Sequence, residues 1–112
     1  MKLKEIKDLL AADVLCGEEL LDTEVESAFA SDFMSDILAF SREEKVLITG
    51  MINPQVIRTA EMVDMICIIF VRGKVPTEDI IELARESGMV VMASKQLMYT
   101  ACGILYSNNL GN

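Results

Sequence analysis

The run Met65-Ile66-Cys67-Ile68-Ile69-Phe70-Val71, followed at once by Arg72-Gly73-Lys74, decides how this chain folds. From Ile66 to Val71 it is continuously apolar, β-branched and aromatic, the pattern of a strand covered on both faces. A strand buried twice needs a layer on each side, and the flanking sequence supplies helices. Upstream, Val46 to Thr49 reads as a strand; Asn53 then caps a helix with Pro54 at its first position and Val56, Ile57, Ala60 and Val63 on its buried face. Downstream, Thr77 caps a helix through Ile80, Ile81 and Ala84, and Gly88 ends it. Met89 to Ala93 forms a last strand, and Ser94 caps a final helix that reaches about Asn108. Strands alternating with helices imply parallel crossovers, right-handed by rule. The expected class is α/β, a mostly parallel sheet of about four or five strands with helices on both faces.

The amino-terminal third is less regular. Leu3, Ile6, Leu9 and Leu10 recur at helical spacing with charges between them, which predicts a short amphipathic helix. Val14 to Cys16 and Val25 to Ser31 read as extended, joined by the acidic turn from Gly17 to Asp22, and are expected to form an antiparallel pair. Asp32 or Ser35 is then placed to cap a short helix through Ile37, Leu38 and Phe40. No repeat, low-complexity segment or linker interrupts the chain, so residues 1–112 are expected to make a single domain.

Composition removes whole classes of function. Eighteen acidic against ten basic side chains give a net charge of -8, which takes away the electrostatic basis for binding nucleic acid or anionic membrane. The absence of His removes most zinc sites and every nucleophile activated by an imidazole. The longest apolar stretch, Met65 to Val71, falls far short of the roughly 20 residues that span a bilayer. Met1 to Leu10 mixes Lys2, Lys4 and Lys7 with Glu5 and Asp8, and so lacks the apolar centre of a secretion signal; a cytoplasmic location is expected. Cys16, Cys67 and Cys102 show no C-x-x-C spacing and read as reduced, mostly buried thiols. Burial raises a thiol pKa and no His is present to lower it, so a thiolate enzyme is not expected. The chain has neither of the glycine-rich loops of ATP or dinucleotide sites, and no cofactor is expected.

Three features remain that carry chemistry. Parallel strands deliver their carboxyl ends to one edge of a sheet, where ligands of open α/β folds bind. Here those ends read Thr49-Gly50 with Asn53, then Arg72-Gly73-Lys74, then Ser94-Lys95, bringing three of the five basic residues beyond Lys45 to one rim. In so acidic a chain this is a candidate site for a small anion such as a nucleotide or phosphate ester, held by Thr49, Gly50, Asn53, Arg72, Gly73, Lys74, Ser94 and Lys95. Turns before helices are also rich in such residues for capping alone. Second, Glu18, Glu19, Asp22, Glu24, Glu26, Asp32 and Asp36 follow one another without a Lys or Arg. On an extended strand Asp22, Glu24 and Glu26 share a face, which suits a basic protein partner or a hard cation, or serves as a solvated surface. Third, the last helix has one apolar stripe of Leu97, Ala101, Ile104 and Leu105 and another of Met98, Tyr99, Cys102 and Tyr106. Covering a sheet needs one stripe; the second either meets a symmetry mate in a homodimer or fills the edge of the core.

From Leu3 to about Leu110 the chain resembles the DRTGG domain family. The resemblance lies in the amino-terminal Leu-rich helix, in Ala28-Phe29-Ala30-Ser31-Asp32-Phe33-Met34-Ser35-Asp36, in Leu47-Ile48-Thr49-Gly50, and in Phe70-Val71-Arg72-Gly73-Lys74 with Pro76. The family is similar to the amino-terminal domain of HPr kinase, accompanies CBS domains in regulated pyrophosphatases, and occurs in phosphotransacetylase-like proteins. The resemblance implies an accessory α/β module that regulates or assembles, often as a dimer, without catalysis of its own. The residues that give the family its name fall at Ile52-Asn53 and Val71-Arg72-Gly73, where only Gly73 is kept. A rim so diverged either takes another anion or keeps only the fold.

Overall fold

In a computed structural model of the protein, which describes residues 1–111, Cys67–Phe70 of the decisive run form a strand with every residue buried, and Ile66 before it is half-buried. In chain order the elements are α1 (Leu3–Leu9), β1 (Asp13–Cys16), a 3-10 turn at Glu18–Leu20, β2 (Ala28–Ala30), α2 (Met34–Phe40), β3 (Val46–Thr49), α3 (Pro54–Met62), β4 (Cys67–Phe70), α4 (Glu78–Glu86), β5 (Val90–Ala93) and α5 (Met98–Ser107). The strands make one sheet in the order β1-β5-β4-β3-β2. Strands β2 to β5 run parallel, and β1 is added antiparallel beside β5. Its register slips at Leu15, between the Val14–Met92 and Cys16–Val91 pairs, so Leu15 and Cys16 both pack on one face.

Alternation along the strands builds two cores. Val46, Ile48, Cys67, Ile69, Val90 and Met92 face Leu3, Ile6 and Leu10 of the α1 segment and Ala101 and Leu105 of α5. Leu47, Ile68, Phe70 and Val91 face Ile37 of α2, Val56, Ile57 and Ala60 of α3, and Ile80, Ile81 and Ala84 of α4. Three crossover helices therefore cover one face and two helices the other, which confirms the α/β class and both helical layers.

The expected pairing of the first two extended segments is corrected. β1 and β2 lie at opposite edges of the sheet, and β2 pairs with β3 in parallel through Ala28–Val46, Phe29–Leu47 and Ala30–Ile48. The reason is the helix after β2: a strand-helix-strand unit closes in parallel, and that places β2 next to β3. Caps also differ. Asn53 accepts from the Val56 N–H at 3.2 Å, as expected, but α2 starts after Phe33, with neither Asp32 nor Ser35 as its cap. Thr77 sits at the cap position of α4 while its hydroxyl bonds to Asp79 instead of the backbone. Ser94 is buried and donates to the Leu10 carbonyl at 2.8 Å, tying β5 to the end of α1; α5 begins four residues later, at Met98.

Both ends of the described chain clasp the segment before β2. The Val25 N–H donates to the Met1 carbonyl at 2.8 Å, Gly111 N–H donates to the Glu26 carbonyl at 3.0 Å, and Ala28 N–H donates to the Gly111 carbonyl at 2.8 Å. Gly17 closes the turn after β1 in a left-handed conformation, φ 83°, where an added Cβ would lie 2.8 Å from the Val90 Cα. No helix among the described residues is long and apolar enough to cross a membrane.

The two layers make a direct prediction. Ile6 and Ile57 are fully buried in different cores with the sheet between them. Ile6→Ala and Ile57→Ala are each expected to cost about 2–5 kcal/mol. In urea denaturation the double variant should equal the sum of the singles within about 0.5 kcal/mol, because the sites share no neighbour.

Candidate functional site

The carboxyl ends of β2, β3, β4 and β5 reach the same edge of the sheet, and β1 begins there, with Asp13 opposite Ala93. The chain leaving β4 passes to the three-helix face as α4, whereas the chain leaving β5 passes to the other face as α5. Such a parting of loops opens a crevice in many α/β folds. Here the two loops are joined instead: Arg72 N–H donates to the Gln96 carbonyl at 2.8 Å and Gly73 N–H to the Ser94 carbonyl at 3.0 Å. Arg72, Gly73, Lys74, Ser94 and Lys95 are thus neighbours, as the sequence predicted. Lys74 and Lys95 are exposed and form no ion pair among the described residues.

Across the rim, Arg72 turns toward β3. Its Nη2 donates to the Gly50 carbonyl at 3.1 Å and lies 3.7 Å from Asp32 Oδ2. The guanidinium rests so closely on Gly50 that a Cβ there would stand 2.4 Å from Nη2, so a larger residue would push the Arg72 side chain aside. Asp32 Oδ1 accepts from the Gly50 N–H at 2.7 Å and from the Thr49 hydroxyl at 3.3 Å. The Thr49 hydroxyl in turn accepts from the Met51 N–H at 3.1 Å. Thr49 and Ser94 are buried with their hydroxyls engaged inside the protein, Ser94 also accepting from the Gln96 N–H at 3.2 Å. They shape the loops, as does Gly50, which is buried with its N–H and carbonyl both engaged, while Asn53 and the cations form the outer part of the rim.

Asp32 is the member that sequence reasoning did not bring to this edge. It stands two residues beyond the carboxyl end of β2. Had β2 been read as the parallel neighbour of β3, the same rule that gathered Thr49, Arg72 and Ser94 would have gathered Asp32.

The acidic flank is partly compensated. Asp22 pairs with Lys4 at 3.1 Å, and that partner holds its carboxyl below the usual carboxylate range; Glu24 pairs with the terminal ammonium at 3.1 Å. β2 starts only at Ala28, but Asp22, Glu24 and Glu26 are all exposed, alternating with the less exposed Thr23, Val25 and Ser27. No group of three acidic or thiol side chains suited to a metal occurs among the described residues.

On α5, Ala101 and Leu105 face the core and Met98, Cys102 and Ile104 pack partly against it. Leu97 departs from its expected stripe: it precedes the helix and is exposed. Tyr99 is 90% exposed and Tyr106 70%. Both line an apolar groove of about 880 Å³ between α5 and β2, with Ala28, Ala30 and Ile48 on its other wall. All three thiols are free, and burial pushes each of them above the ordinary cysteine pKa.

Comparison with known proteins bears on the fold and its lineage. No curated protein matches the chain in sequence. A structure of the CBS and DRTGG domains of the regulatory region of Clostridium perfringens pyrophosphatase, complexed with its activator diadenosine tetraphosphate, superposes with a TM-score of 0.73. Identity is 20%, and the match covers 93% of this chain and 45% of that one. The present chain therefore spans less than half of its neighbour, and what the two share is the fold. The model of the DRTGG domain matches residues 5–107, nearly the whole sequence. The chain belongs to the DRTGG domain family.

Proposed function

We propose that this protein is a non-catalytic regulatory module of the cytoplasm that senses a small anionic metabolite or nucleotide at the carboxyl edge of its sheet, and that it works as a homodimer. The observation that carries the sensing is the joined pair of loops after β4 and β5, which sets Arg72, Lys74 and Lys95 on one rim with Lys74 and Lys95 unpaired among the described residues. Gly73 is exposed with open space beside its Cα, and Asn53 heads α3 beside the rim. The pyrophosphatase neighbour was solved with a dinucleotide activator, which supports a ligand of the same class here. Free thiols fit a reducing compartment.

Assembly has its own support. Three helices cover one face of the sheet and two the other, and the groove lies on the less covered face beside α5. What would fill it is an apolar helix, and the apolar helix with an open side in this chain is the one that borders it. A two-fold axis lets each α5 enter the other's groove, the self-complementary arrangement of an isologous dimer. Tyr99 and Tyr106, at about 150–250 Å² each, give roughly half of the ~800 Å² per partner that a stable interface buries. On the acidic flank Asp22 and Glu24 have internal cations, which leaves less charge there for a basic protein partner.

Three measurements test these readings. In a thermal-shift assay, diadenosine tetraphosphate, ATP or inorganic pyrophosphate should raise the Tm, by about 2.7 kcal/mol of added stability at a hundredfold excess over Kd. Arg72→Ala with Lys74→Ala should abolish the rise, and no shift with any of the three overturns the sensing reading. Light scattering should give twice the monomer mass, and Tyr99→Glu with Tyr106→Glu should return it to one; a monomeric wild type removes the dimer. At neutral pH none of Cys16, Cys67 and Cys102 should react with iodoacetamide as fast as a free thiol, since raised pKa values leave little thiolate. Rapid labelling of one of them would count for catalysis.

A further inference from the structure

Four non-glycine residues among those described have positive φ: Ala11, Asp64, Arg72 and Asn109. Ala11, Asp64 and Asn109 each stand two residues beyond the last of α1, α3 and α5, just after the C-cap, where a left-handed residue ends a helix. Arg72 follows a strand. Its φ of 65°, succeeded by 72° at Gly73, is fixed by the two hydrogen bonds to Gln96 and Ser94. Strain over-determined in this way marks a position where the side chain must be aimed. Here it brings the guanidinium across the rim onto Gly50 and Asp32.

Building on the sensing reading, we propose that Asp32 sets the affinity of the rim by acting as an internal substitute for the ligand: its carboxylate holds Arg72 on Gly50 and competes with an incoming phosphate for that guanidinium. The geometry divides the carboxylate between two tasks. Oδ1 is structural, accepting from Gly50 and Thr49, while Oδ2 has Arg72 as its partner. The ion pair is half exposed, at 45% for the Arg72 side chain and 33% for Asp32, so it is open to displacement. A phosphoryl group is the suitable competitor, because it offers more charge than a carboxylate and the same paired acceptor geometry for a guanidinium. When it binds, Arg72 leaves Asp32, and Lys74 and Lys95 supply the remaining positive charge.

The test uses isothermal titration of diadenosine tetraphosphate and, separately, inorganic pyrophosphate into the full chain. Asp32→Asn keeps the Oδ1 acceptor for Gly50 and Thr49 but removes the charge. Asp32→Ser serves as the second variant should the first fold poorly. Releasing Arg72 from an exposed ion pair of ordinary strength leads to binding up to about fivefold tighter than wild type. In an Arg72→Ala background the same substitutions should give no gain, because the competition is for Arg72. Equal affinity in wild type and both Asp32 variants overturns this proposal while leaving the sensing reading intact. A gain that persists without Arg72 also overturns it, since Asp32 would then act only through its field. Binding by the Asp32 variants alone supports it, as a rim held shut in the wild type. Binding by none of the proteins overturns both readings.

Discussion

Double-sided burial of β4 is the constraint from which the rest of the architecture follows. A strand whose alternate residues, Cys67 and Ile69 against Ile68 and Phe70, are all withdrawn from water has to be walled on both sides. The chain meets that requirement with α2, α3 and α4 on one side, each the return path between adjacent parallel strands, and with α1 and α5 on the other. Because β2 to β5 lie side by side in sequence order, every return path falls on the same face. The opposite face is covered by the two terminal helices, and they leave the β2 margin of the sheet bare.

The same directionality makes the rim. Four strands pointing one way bring four loops together, and the chemistry of the edge depends on what those loops carry. In an acidic protein it is notable that Arg72 is fixed by backbone hydrogen bonds on one side and by Gly50 and Asp32 on the other, while Lys74 and Lys95 extend into solvent. The backbone of the β4–α4 loop is thus tied to the β5–α5 loop at Arg72 and Gly73, where its charged side chains lie.

How far this was legible in the sequence depended on the length and strength of each pattern. The succession from Val46 to Ala93 could be read because every strand in it is a buried apolar run and every helix has a periodic face, with Asn53-Pro54 marking one helix start plainly. Those segments place Thr49, Arg72 and Ser94 at one edge by topology alone. The misreadings came from short pieces. β2 has three residues, too few for periodicity to name its partner, and the acidic turn before it resembled a hairpin connection. That error hid Asp32, whose position follows from the parallel pairing with β3. Ser94 looked like a helix cap because Ser before an apolar stretch usually is one; its bond to the Leu10 carbonyl, 84 residues away in sequence, is a tertiary fact that local pattern does not contain. Leu97 falls outside its stripe for the same reason, since α5 starts at Met98 and leaves Leu97 extended before it.

Met1 and Gly111 are held on the same few residues, Val25 to Ala28, so the path of the polypeptide is nearly a closed circle. Folds with adjoining ends lend themselves to being spliced into a host loop, because both junctions emerge at one spot and the host need not stretch around the guest. The architecture is in this sense portable, and a longer protein that acquired it would have two tethers side by side through which to feel a change at the edge strand.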